Sequence, residues 1–218
     1  MDNLKEINYG EAIYEGCYQE MENDDSVFVY GLGVDDTKGH YGTSKDLHKV
    51  FGAKRNFDIP LSEDAMTGIG IGAALGGLKP IYVHQRMDFL LLCMNQLVNM
   101  AAKLRYMSSG VHSVPLVVRA AIGRSWGQGA QHSQSLQSLM AHIPGLVVVM
   151  PADPKSIIES YRYAVQEHKG PVVMLEHRLL YELSYENDNT ELSHPLFGSK
   201  LEKEGSDVTI IATSVMVL

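Results

Sequence analysis

Cysteine is nearly missing from this chain: Cys17 and Cys93 are the only two in 218 residues. Two thiols are too few for a disulfide framework or a thiolate metal site, so a reducing compartment is the simplest setting. A basic excess is missing as well. With 18 Lys and Arg against 26 Asp and Glu, the formal charge is -8, which argues against a general nucleic-acid or acidic-lipid binder, because such proteins cluster surplus Lys and Arg. No stretch reaches the roughly 18 apolar residues that a membrane helix requires. The opening MDNLKEINYGEAI lacks the basic-then-apolar layout of a signal peptide. Internal repeats and low-complexity tracts are also lacking. A cytoplasmic protein is the expectation. What the chain does have is 45% hydrophobic residues, enough to bury a full core in one domain, or in one domain plus a fragment.

Short β-rich apolar runs stand at 26–31 (SVFVYG), 79–85, 114–122, 146–151 and 171–177, and they read as buried parallel strands. Helix-like stretches lie between them at 9–23, 63–76, 88–107, 133–142 and 153–168. In the last of these Asp153 is placed to cap and Pro154 to open the helix. This alternation predicts an α/β fold, a parallel open sheet with helices on both faces, which binds ligands in the loops beyond the carboxyl ends of its strands. After Tyr181 the chain turns polar and charged, so 1–182 reads as the main domain and 183–206 as a linker. Residues 207–218, with VTIIATSVMVL, read as one buried strand. A lone strand cannot bury itself, so it is assigned as the first strand of a truncated or separate carboxyl-terminal domain.

The segment DIPLSEDAMTGIGIGAALGG (58–77) carries the main chemical signal. Ser62 can cap a helix whose first turn holds Glu63 and Asp64, an arrangement the helix dipole favours without any function. Gly68, Gly70, Gly72 and Gly76 then sit inside that helix, where each costs about 1 kcal/mol relative to Ala. Something therefore approaches the helix closely: a packed neighbour, a cofactor or a partner subunit. Gly68, Gly70 and Ala73 also match G-x-G-x-x-A with Asp88 downstream, but the preceding SEDAMT is polar and helical in pattern, where a dinucleotide fingerprint needs a strand. GRSWG (123–127) matches G-x-S-x-G, with Asp153 and His168 or His177 following in hydrolase order. The chain continues GQGAQHSQ rather than entering a helix directly, so Ser125 is not assigned as a nucleophile. His132 opens the next helical stretch at the carboxyl-end side of the sheet, where an imidazole can cap, pack or transfer protons. The nine His are scattered without H-x-x-x-H or Cys/His spacing, so no metal ligands are assigned to this chain. Phe89 begins a broad apolar stripe at 87–104; core packing explains the stripe, while its first turn can face a ligand.

Over roughly residues 7–182, these segments in this order resemble the transketolase-like pyrimidine-domain superfamily, specifically the beta-type subunit of the decarboxylating component of 2-oxo acid dehydrogenase complexes (pyruvate dehydrogenase beta-like). The resemblance is carried by DIPLSED with GIGIGAALGGLKPI, DFLLLCMNQLVNMAAKLRYM, GQGAQHSQSLQSLMAHIPGLVVVMPADP and GPVVMLEHRLLY. It implies an oxidoreductase-class subunit using thiamine diphosphate. On this likeness Glu63 hydrogen-bonds a ring nitrogen of the cofactor's aminopyrimidine and favours the imino tautomer, whose exocyclic nitrogen removes the thiazolium proton. Phe89 stacks on the aminopyrimidine, Leu61 lines its pocket, and His132 handles the substrate-derived intermediate and its transfer to a lipoyl group.

Several positions depart from the family pattern. Leu32 and Gly33 stand where members often carry an acidic pair, Leu92 stands where a Gln often follows the stacking Phe, and VHQRMD (83–88) is more polar than usual. Members can bind potassium through carbonyls near the end of the 153–168 helix, yet QEHKGP (166–171) is one residue longer than the usual loop. No GDG followed by a downstream Asn occurs, so the resemblance assigns the diphosphate and its magnesium to an alpha-type subunit, in an alpha2beta2 heterotetramer that can meet a lipoyl acyltransferase. Two other readings stay open. One is a split transketolase-like ketol transferase, with Arg86, Arg119 and Arg124 as sugar-phosphate ligands. The other is a non-catalytic partner of the same fold.

Overall fold

The computed structural model describes residues 5–124, 127–187 and 196–218. Six parallel strands form the main sheet: β2 (Val27–Gly31), β3 (Asn56–Phe57), β4 (Lys79–His84), β5 (Val117–Ile122), β6 (Val147–Val149) and β7 (Val172–His177), in spatial order β3-β2-β4-β5-β7-β6. Because every pairing is parallel, all carboxyl ends share one rim. Such strands need a cover on both faces, and their residues alternate between two cores. On one face lie α1 (Tyr9–Asn23) and α6 (Pro154–Arg162), packed through Ile13, Cys17, Ile157 and Tyr161. On the other lie α3 (Glu63–Leu75) and the segment 87–107, packed through Ile71, Leu90 and Leu97. The expected α/β sheet with helices on both faces is the observed architecture.

The elements start where local chemistry allows. Asn8 and Glu11 form a reciprocal capping box at the head of α1, with Glu11 N donating to Asn8 Oδ1 at 2.8 Å and Asn8 N to Glu11 Oε2 at 2.9 Å. Asp153 caps α6 by accepting from Ser156 N at 3.0 Å, and Pro154 opens the helix. Ser62 occupies the position before α3 but makes no side-chain capping bond, contrary to its expected role.

Other expectations are corrected. Residues 88–107 are not one regular helix. A 3-10 segment (Met87–Cys93) passes into wide turns (Asn95–Ala101) and then α4 (Ala102–Met107). The 133–142 stretch shrinks to α5 (Gln137–Ala141), because the loop before it is held open by Gly127 and Gly129 at φ +66° and +70°. A short α2 (Leu47–Phe51) and the two-residue β3 carry too little pattern to foresee. The linker does not begin at 183, since β8 (Ser184–Asn187) pairs antiparallel with β1 (Lys5–Asn8), clasping the ends of the domain together. Residues 207–218 form no strand: Val208, Ile210 and Ile211 are exposed, and only a 3-10 turn (Ser214–Val217) forms. A strand needs a ladder neighbour, and none of the described strands pairs with this segment.

Candidate functional site

The rim of the sheet gathers the candidate residues. Glu63 is the first residue of α3; Leu61 sits two residues before it; Phe89 lies just beyond the end of β4. All three line one pocket, together with Leu32 from the end of β2 and Tyr82, Val83 and His84 from β4. His132, at the end of a 3-10 turn after β5, joins them through Phe89: the two rings meet edge to face with centroids 5.2 Å apart. The four sequence-derived site residues therefore converge, although they span 72 positions of chain (Leu61 to His132).

The frame beneath the pocket is aromatic. Tyr30 stacks on Tyr82 at 4.6 Å, and its hydroxyl donates to the Met66 carbonyl at 3.0 Å, tying β2 to the first turns of α3. Thr67 Oγ1 donates to the Glu63 carbonyl at 2.7 Å, which fixes the backbone from which the carboxylate projects. The glycine stripe divides into two kinds. A Cβ on Gly70 would lie 2.1 Å from the Tyr30 hydroxyl, so this glycine is required by packing, while one on Gly72 would meet nothing within 4 Å. The outward glycines lie beside exposed Ile69 and Leu75 on α3, and Leu91 and Leu92 are exposed on the neighbouring 87–93 segment.

Two residues hold the rim loops together in a way that neither of their sequence readings foresaw. Asp88 Oδ1 accepts from Gln134 N at 3.0 Å, and Arg86 donates to the Gly123 carbonyl at 3.2 Å and to Gln128 Oε1 at 2.9 Å. These bonds anchor the loop carrying His132 to the segment carrying Phe89. His84, on the pocket floor, lies 3.8 Å from Cys93 Sγ. Burial holds its pKa at about 3, so the imidazole is neutral. The sequence offered only the polarity of VHQRMD as a sign of this frame.

Leu32 lines the pocket where an acidic residue was noted as missing, and the Gly33 amide instead donates to Asp58 Oδ1 at 2.7 Å. Leu92 points outward, 57% exposed. His132 Nδ1 is buried with no hydrogen-bond partner. The enclosed part of the pocket measures about 20 Å³, room for about one water, so this chain supplies one wall of a site and not an enclosure. Its donor set is a stacking ring, a carboxyl group, apolar walls and an orphaned imidazole nitrogen. That set suits a flat heteroaromatic with a ring nitrogen to be hydrogen-bonded.

Other chemistries are not assembled among the described residues. Gly68 and Gly70 lie inside α3, where no dinucleotide turn exists. Ser125 lies outside the described residues, and both Asp153 oxygens are engaged by Ser156. Among the described residues no group of three His, Cys, Asp or Glu can hold a metal ion, and none of their helices is long and apolar enough to cross a membrane.

A family model for the pyrimidine binding domain of transketolase matches residues 5–184. The chain belongs to that family. Among relatives of this pyrimidine binding domain, the pyruvate dehydrogenase E1 component subunit beta of Gracilaria tenuistipitata var. liui is 39% identical, over 98% of this chain and 66% of that protein. The mitochondrial counterpart of Bos taurus is 40% identical, over 96% of this chain and 59% of that protein. The chain thus spans about three fifths to two thirds of the length of these curated relatives. Transketolase from Campylobacter jejuni shares the fold with a TM-score of 0.65 at 17% identity, over 90% of this chain and 28% of that one. A split gene transketolase, an inactive beta4 tetramer, does so with a TM-score of 0.62 at 19% identity, over 77% of this chain and 50% of that one.

Proposed function

We propose that the chain is the beta-type subunit of a thiamine-diphosphate-dependent 2-oxo acid dehydrogenase, the decarboxylating component. The carrying observation is that Glu63, Leu61 and Phe89 line one pocket with His132 at the edge of the Phe89 ring. The relatives named pyruvate dehydrogenase E1 subunit beta support the reaction class.

When bound, thiamine diphosphate supplies the nucleophilic carbon and the electron sink that decarboxylation requires. The chain's own residues prepare it. Glu63 would hydrogen-bond the pyrimidine ring nitrogen through its carboxyl group and would exchange a proton with it there. Phe89 presents its face for stacking, and Leu61 and Leu32 exclude water. His132, with Nδ1 uncommitted, would exchange a proton with substrate oxygen during transfer to a lipoyl group on an acyltransferase.

The diphosphate and magnesium fall to an alpha-type subunit, in an alpha2beta2 assembly. The small enclosed volume, the open Gly72 face of α3 and the exposed Leu61, Ile69, Leu91 and Leu92 support a partner closing the site. We place residues 207–218 at the edge of a further domain, which the exposed Val208, Ile210 and Ile211 support. Two buried free thiols, Cys17 and Cys93, support a reducing, cytoplasmic setting. Potassium is left out. At the proposed loop the Tyr163 carbonyl accepts from His168 N at 2.8 Å and the Lys169 carbonyl from Val114 N at 3.1 Å. Arg105 also lies close enough to lower the His168 pKa, after burial, an unfavourable neighbour for a cation.

The ketol-transferase reading is weaker, because Arg119 is locked in a buried pair with Glu176 and Arg86 is buried in loop contacts. The test is to co-purify the chain with an alpha-type partner carrying GDG and a downstream Asn, titrate thiamine diphosphate with magnesium, and assay 2-oxo acids against sugar phosphates. Binding with 2-oxo acid turnover, lost in Glu63→Gln while the fold persists, is expected. Absence of cofactor binding by the assembled complex overturns the proposal.

A further inference from the structure

Strand β4 ends at His84 and Gln85 follows it, and both line the pocket with Glu63 and Phe89. The Gln85 amide is engaged, since its Nε2 donates to the Leu32 carbonyl at 2.8 Å. His84 is only 3% exposed, and its ring is tilted against Tyr82 with centroids 4.5 Å apart. Burial holds its pKa at about 3, so the ring carries one N–H and one bare nitrogen. Which nitrogen is bare decides what His84 can offer a ligand.

Cys93 makes that choice. Burial, aided by Glu63 and Asp64, raises its thiol to about 11, so the sulfur keeps its single hydrogen. That hydrogen is committed: Sγ donates to the Leu90 carbonyl at 3.2 Å. Towards His84 Nε2, 3.8 Å away, the sulfur is left to accept. Nε2 therefore bears the ring's proton and Nδ1 is the bare nitrogen, because the partner of one imidazole nitrogen sets the state of the other. Among the described residues none bonds Nδ1. The influence of Glu63 on the thiol also puts the histidine and cysteine pair close to the acid. A buried acceptor without a donor is costly, so a ligand with an N–H suits this pocket better than one without.

We propose that Cys93 locks His84 in the Nε2–H tautomer, and that Nδ1 accepts a hydrogen bond from an N–H on the edge of the ring that stacks on Phe89. Glu63 serves a ring nitrogen of that ligand and His84 serves its amino substituent, so His84 is a specificity-determining contact for an amino-substituted heteroaromatic. The identity of the ligand rests on the thiamine diphosphate reading, whose aminopyrimidine carries an exocyclic amino group; the tautomer does not. The polarity of VHQRMD thus reaches the cofactor side of the site through His84.

Two-bond nitrogen–proton NMR spectra of the full chain, with labelled histidine, read the tautomer directly. The Nε2–H form is expected in the parent chain and a mixture of both forms in Cys93→Ala. In the complex with an alpha-type partner, calorimetry with magnesium compares thiamine diphosphate with its analogue lacking the exocyclic amino group. His84→Phe should bind thiamine diphosphate about three- to tenfold more weakly and the analogue as before, and His84→Asn, whose amide oxygen is an acceptor close to the position of Nδ1, should recover part of the loss. An Nδ1–H tautomer in the parent, an unchanged tautomer in Cys93→Ala, or an unchanged preference between the two ligands in His84→Phe overturns this inference and leaves the cofactor reading intact. A complex that binds no thiamine diphosphate overturns both.

Discussion

Replacing Gly70 by alanine adds one methyl group where α3 meets the aromatic frame under Glu63. The new Cβ would lie 2.1 Å from the Tyr30 hydroxyl and 3.2 Å from Leu116 Cδ1. Tyr30 cannot retreat freely, because its ring is stacked on Tyr82 at 4.6 Å and touches Phe28 at 5.3 Å. Overpacking of this kind costs about 1–3 kcal/mol, and pulling the hydroxyl from the Met66 carbonyl adds about 1 kcal/mol. Alanine's better helix propensity returns about 1 kcal/mol, leaving a net loss of about 1–3 kcal/mol. For a chain of this size that lowers the melting temperature by roughly 2–4 °C per kcal/mol. Gly72→Ala is the control on the same helix: its Cβ meets nothing within 4 Å, so the isolated chain should gain about 0.5–1 kcal/mol. Parallel urea denaturation of the two variants, followed by circular dichroism, reads both effects. A Gly70→Ala variant as stable as the parent, or a Gly72→Ala variant equally damaged, would refute this division of the glycine stripe. In the proposed complex the order reverses in one respect: Gly72→Ala should weaken assembly with the alpha-type partner.

Three other outcomes follow from buried groups. His40 and His84 have pKa values of about 3, whereas the unfolded chain protonates its imidazoles near about 6.5. Stability is therefore retained above about 6.5 and lost as pH falls from there towards 3, at up to about 1.4 kcal/mol per unit for each histidine. His84→Phe should reduce the loss between pH 7 and pH 5 by about 2 kcal/mol; an unchanged slope contradicts the assignment. Arg119→Met strands the Glu176 carboxylate and should cost about 3–5 kcal/mol, with much of that regained by adding Glu176→Leu. Chemical denaturation of the two variants would expose the error if the single substitution were nearly neutral. Burial raises the Cys17 and Cys93 thiols to about 11, so iodoacetamide should label neither in native buffer and both in urea; native labelling, read by mass spectrometry, would show that one of them opens to solvent.

The repeating β-then-α pattern, α1 at 9–23 and the start of α6 were readable because their signals are local: apolar period, a capping Asp, a Pro at the first turn. The clasp of Lys5–Asn8 with Ser184–Asn187 was not, since two short polar strands acquire meaning only when some 180 residues of chain bring them together. Residues 207–218 read as a strand from composition, yet pairing depends on a neighbour that the pattern of one segment cannot supply. At the site, an acid opening a helix is ordinary, so Glu63 was legible only through its likeness to a family. Arg86 and Asp88 were read only as a candidate phosphate ligand and a fingerprint acid, and their hold on the loops stayed hidden because their partners, Gly123, Gln128 and Gln134, lie 37–46 positions away.

The clasp also bears on how such a domain can travel. Because Lys5 pairs opposite Asn187, the two ends of this stretch of chain lie side by side in a small sheet of their own. All six strands that set the rim with Glu63 lie between those two ends. Modularity of this kind lets one folded unit serve in a two-gene assembly or inside a single long polypeptide.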